Sequence, residues 1–143
     1  MATVLAMAMQ KGGVGKTTTT LNVGVMLGAR GHRVLLVDTD PQANLTEGLG
    51  IDHNELEYSI YEVLLNPKHG VGFATIHTNA DVDLVPSTLA LAAAELTLAG
   101  KVGRELLLRE ALMSVQSDYD YILIDAPPSL GSPPPPFSPT SGY

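Results

Sequence analysis

The sequence predicts an α/β protein, a parallel sheet with helices on both faces. Three observations carry this. Four short runs, TVLAMAM (3–9), RVLLVD (33–38), VDLVP (82–86) and YILID (121–125), are nearly continuous in apolar residues, as strands covered on both sides are. Helical patterns separate them. A glycine-rich loop, KGGVGK (11–16), joins the first strand to the first helix.

In chain order, the first helix is expected over 17–29, stopped near Gly31. SIYEVLL (59–65) reads as a second helix ahead of Pro67, and NPKHGVGFATIHTNAD (66–81) as surface connection. LALAAAELTLA, after Ser87 and Thr88, is a third helix. The fourth, RELLLREALMSV (104–115), places Leu107, Leu108, Ala111, Leu112 and Val115 at helical spacing. Alternation of strand and helix implies right-handed parallel crossovers. After Gly131 the character changes: SPPPPFSPTSGY holds five of the ten prolines in twelve residues, which excludes helix and strand and reads as a polyproline-like tail. The organisation expected is one domain over 1–131 and a Pro-rich tail over 132–143, disordered or read out of frame.

Composition bounds the function. A chain of 143 residues suits one core. The formal net charge of −7, with only eight Lys and Arg, makes it a poor nonspecific binder of DNA or anionic membrane. Cysteine is absent, so neither disulfides nor thiolate metal sites can form, which suits a reducing, cytoplasmic setting. No apolar run approaches the roughly 20 residues of a membrane span.

The chemistry lies in the loops. Glycines let backbone N–H groups approach a ligand closely, and a helix N-terminus favours anions, so strand, glycine loop and helix together suit phosphate. Gly15, Lys16 and Thr17 match the end of the pattern G-x-x-x-x-G-K-[ST]; its first glycine falls on Gln10, and an extra lysine, Lys11, stands in the loop. Lys16 is expected on the β- and γ-phosphates and the Thr17 hydroxyl on Mg²⁺. In an open parallel sheet the carboxyl ends of strands meet the ligand, which brings Asp38, Asp40 and Asp125 to the same phosphates. Three carboxylates facing a polyphosphate require a divalent cation, with Mg²⁺ the natural choice. Asp40 is placed to orient the attacking water.

KGGVGKTT, DTDPQ and YDYILIDAPPSLG together resemble the ParA/Soj/MinD family of deviant Walker A P-loop ATPases, most closely the chromosome and plasmid partition type, over residues 2–131. The resemblance implies Mg–ATP binding and hydrolysis by a sandwich homodimer. In it, Lys11 reaches the partner's phosphates, and Lys11, Gly12, Gly13, Val14, Gly15, Lys16, Thr17 and Thr18 line the nucleotide. It further implies Thr17 on magnesium, Thr18 near the α-phosphate, Asp125 as the Walker B acid and Asp40 next to the lytic water; Asp38 is expected at the metal from its place at a strand end. A ParB-type stimulatory partner and nonspecific DNA on the nucleoid belong to the same implication, without a membrane. The alternatives are a truncated nucleotide-binding and dimerisation module with little hydrolysis, or a MinD-like cell-division ATPase. Family members continue beyond PPSLG for about as many residues again, so the chain resembles an N-terminal half ending after the Walker B strand. The segments that contact adenine and DNA are expected to lie in the other half.

Overall fold

A computed structural model describes residues 2–7, 14–89 and 100–126. The elements are β1 (Thr3–Met7), α1 (Val14–Ala29), β2 (Val34–Asp38), α2 (Asn44–Gly48), α3 (Ile60–Leu65), β3 (Ile76–His77), β4 (Asp83–Val85), α4 (Gly100–Leu112) and β5 (Tyr121–Asp125). The sheet order is β1-β5-β2-β4-β3. β5 lies between β1 and β2, parallel to both, and β2 is parallel to β4.

The continuous apolar strands are explained by two cores on opposite faces. Leu35, Val37, Ile122 and Ile124 pack with Ile60, Val63 and Leu64 of α3 and Leu108, Ala111 and Leu112 of α4. Val34, Leu36 and Leu123 face the other way, against Leu21, Val23 and Leu27 of α1. Alternation along a strand sends neighbours to opposite sides, so a strand buried on both needs apolar residues throughout. The same alternation puts Asp38 and Asp125, register partners at the strand ends, on the α1 face. α1 lies close to the sheet because Gly24 and Gly28 have no side chain: a Cβ at Gly24 would stand 2.6 Å from Leu36 Cδ2, and one at Gly28 2.9 Å from Val82 Cγ1.

α3 begins at a capping box, with Ser59 Oγ accepting from the Tyr61 N–H and Glu62 accepting from the Ser59 N–H. The helix expected over 104–115 begins at Gly100 and ends in a 3-10 turn over Met113–Val115. Most of the third expected helix, residues 90–99, lies outside the described residues, as does the tail over 132–143.

Two expectations change. The first helix starts at Val14, inside the glycine loop. The stretch 66–81 is more than surface connection: it buries Val71, Ala74 and Thr78 and supplies β3, which runs antiparallel to β4. The five residues between β3 and β4 are too few for a parallel crossover but enough for a hairpin, closed by Thr78 N–H and Oγ1 donating to the Val82 carbonyl, with Asp81 in the left-handed region at φ 60°.

Candidate active site

The site forms where α1 begins, over the ends of β2 and β5. Gly15, Lys16, Thr17 and Thr18 fall in the first turn and a half of α1, and Val14 opens it. Lys11, Gly12 and Gly13 lie outside the described residues. Among the described residues, no atom lies within 4 Å of where a Cβ at Gly15 would stand.

Lys16 is 1% exposed although it is a lysine. Its ammonium lies 3.0 Å from Asp125 Oδ1 and 3.6 Å from Asp40 Oδ2, and donates to the Ala126 carbonyl. Buried charge is tolerated because it is paired. The Thr17 hydroxyl donates to Asp125 Oδ2 at 3.0 Å. Asp125 is fully buried, and among the described residues its Oδ1 accepts no aligned hydrogen bond and meets Lys16 as an ion pair. Burial pushes the Asp125 carboxyl above the usual range, opposed by Lys16 and Thr17. Thr18 is exposed beside this group.

Asp38 is brought next to Asp125 but is engaged elsewhere. Its Oδ1 accepts from the Asp40 N–H at 3.1 Å, and its Oδ2 from the Thr46 N–H at 3.0 Å and the Thr46 hydroxyl at 2.7 Å. Burial nevertheless raises its pKa to about 7, with those hydrogen bonds opposing. The strand-end acids are brought to one place, with Asp38 opposite Asp125 in register and both Asp40 and Asp125 beside Lys16; among the described residues no three of His, Asp and Glu are arranged to hold one ion between them. The physical reason is that Asp38 is bound by α2 and Asp40 turns toward Lys16, which leaves Asp125 with Thr17 as the pair facing the helix start.

The donor set fits a magnesium ion. A hydroxyl and a carboxylate, the latter with one oxygen lacking an aligned donor, are the hard oxygen ligands this ion takes alongside water and phosphate. Sequence reasoning missed α2 and with it Thr46. It also missed Thr39, whose N–H and hydroxyl both donate to the Asp125 carbonyl at 2.9 Å and tie the β2 and β5 ends together. Nothing in the local pattern marks them.

A strand, an anion-receptive helix start carrying Lys-Thr, and an acid ending the neighbouring strand define a P-loop NTPase fold. Comparison with known proteins agrees. A profile described as an AAA domain matches residues 2–133, and the chain belongs to that family. It is 46% identical over 131 residues to the sporulation initiation inhibitor protein Soj of Bacillus subtilis, covering 92% of this chain and 52% of Soj. It is 43% identical over 129 residues to the chromosome partitioning protein ParA of Caulobacter vibrioides, covering 89% and 48%. Among solved structures, a cobyrinic acid a,c-diamide synthase from Mycobacterium smegmatis with bound ATP analog and magnesium matches with a TM-score of 0.82 and 45% identity, over 90% of this chain and 52% of that one. A plasmid partition protein from Borrelia burgdorferi matches with a TM-score of 0.73 and 32% identity, over 90% and 57%. The chain thus spans about half the length of the relatives it matches. Among the described residues no helix is long and apolar enough to cross a membrane.

Proposed function

We propose that this chain binds Mg–ATP and carries the hydrolytic site of a partition ATPase of the ParA/Soj type, working in the cytoplasm in chromosome or plasmid segregation. The observation that carries it is the convergence of buried Lys16 and Thr17 on Asp125 at the start of α1. Lys16 binds the terminal phosphates and Thr17 and Asp125 hold the magnesium ion. That ion, when bound, neutralises charge on the β- and γ-phosphates. Asp40 orients the attacking water. Asp38 serves by fixing the backbone of Asp40. Lys11 reaches across an ATP-dependent homodimer, with a ParB-type stimulatory protein and DNA as partners of the whole assembly.

The test is titration of the 143-residue chain with ATP in the presence of magnesium, beside Lys16→Ala. Wild type should bind and Lys16→Ala should not; equal binding by both would refute the reading. Lys11→Ala should keep binding but lose ATP-dependent dimerisation in sedimentation.

The likeness to the cobyrinic acid a,c-diamide synthase favours a second reading, in which the same pocket uses ATP for a synthase reaction. Release of phosphate from ATP with no other substrate present supports the first reading over this one.

A further inference from the structure

We propose that Thr46 and Ser87 are positioning residues that aim the Asp40 carboxylate at Lys16 through a closed ring of buried hydrogen bonds. The ring runs through four residues on three parts of the fold. Asp40 N–H donates to Asp38 Oδ1 at 3.1 Å, and the Thr46 hydroxyl donates to Asp38 Oδ2 at 2.7 Å. Ser87 N–H donates to Thr46 Oγ1 at 2.9 Å, and the Ser87 hydroxyl closes the ring by donating to the Asp40 carbonyl at 2.7 Å. Asp38, Thr46 and Ser87 are 0% exposed and Asp40 6%.

The consequence for Asp40 is specific. Its N–H is taken by Asp38, its carbonyl by Ser87 and by the Ala43 N–H, and its Oδ1 by the Gln42 N–H at 3.0 Å. Among the described residues, Oδ2 alone accepts no hydrogen bond, and it lies 3.6 Å from the Lys16 ammonium. A residue clamped at both peptide groups has little freedom to swing that oxygen away. Thr46 suits the junction because one hydroxyl can donate to a carboxylate and accept from an amide at once. Ser87 brings in the end of β4, so the loop after β2 is held by a neighbouring strand as well as by α2. A buried ring of this kind is worth most when every member is satisfied, and losing one member loosens the rest.

The purpose assigned to Asp40 rests on the hydrolysis reading; the ring does not. The test therefore begins without nucleotide, as residue-resolved amide hydrogen exchange on the full chain. In wild type the Asp40 and Ser87 amides should be protected; exchange at the rate of a free peptide would overturn the ring. Ser87→Ala should speed exchange at Asp40, and Thr46→Val at both Asp40 and Ser87, by about five- to tenfold, the weight of one hydrogen bond. Thr46→Ser should restore wild-type rates. Unchanged rates in both variants, with β1 and β5 amides still protected, would overturn the proposal. If a variant loses protection throughout, the wild-type rates and Thr46→Ser still decide. With Mg–ATP, Ser87→Ala should lower the turnover rate while nucleotide affinity stays within about twofold; affinity falling in step with turnover would refute a positioning role. Should Lys16→Ala bind ATP like wild type, the nucleotide reading fails while the exchange result stands.

Discussion

Lys16 Nζ and Asp125 Oδ1 are 3.0 Å apart, both buried, so the cation and the acid are each other's nearest counterion. A polyphosphate entering beside Gly15 competes with Asp125 for that lysine. A divalent cation relieves the competition by giving Asp125 a new partner. Magnesium should accordingly strengthen ATP binding to wild type. In Asp125→Asn the carboxylate charge is gone, and binding should become independent of magnesium, with Mg-free affinity at least equal to that of wild type. Titrations with magnesium and with EDTA check this; an undiminished magnesium response in the variant would remove Asp125 from the metal site.

Asp40 should separate binding from turnover. Its Oδ2 faces Lys16 at 3.6 Å, and loss of a group that orients or deprotonates water costs about 10²- to 10⁴-fold in rate. Asp40→Ala should keep ATP affinity close to wild type and accumulate the ATP-bound form in a single-turnover quench. Hydrolysis at the normal rate would take Asp40 out of the mechanism.

The Asp38 carboxyl gives the metal-free chain a pH signature. Burial raises its pKa from 3.8 to about 7 in the folded state, so between those values the folded chain holds a proton that the unfolded chain has released. Its contribution to stability is complete below about pH 4 and is lost as pH rises through about 7. Urea unfolding in EDTA at several pH values should show the stability of wild type relative to Asp38→Asn falling across that window. A difference independent of pH would contradict the raised pKa.

Gly28 should tolerate no branched side chain. A Cβ there stands 2.9 Å from Val82 Cγ1 and 3.1 Å from the Asp81 carbonyl, and the latter is backbone that cannot rotate aside. Gly28→Val should lower stability by about 1–3 kcal/mol through overpacking. Thermal unfolding measures it, and a melting temperature equal to wild type would show that the helix moves freely off the sheet.

The layering and most of the phosphate side are legible in the amino-acid order alone. Short apolar runs with no alternation, bounded by turn residues, fit strands buried on both faces, and the spacing Gly15-Lys16-Thr17 after a strand is a local signal because its chemistry is local. The strand over 121–125 and a helix over 59–65 were legible from the same local patterns, whereas the capping box at Ser59 was not read. Which partners each acid meets depends on the folded arrangement. Asp38 and Asp125 look equivalent as strand-end aspartates, and they differ because Thr46, eight residues beyond Asp38, donates twice to one, while Lys16 and Thr17 converge on the other. The antiparallel edge at Ile76–His77 was likewise invisible, since two residues are too short for a period to show. Ser87 meets Asp40 across 47 positions of chain, a contact that no local pattern encodes and that exists because β2 and β4 are neighbours in the sheet.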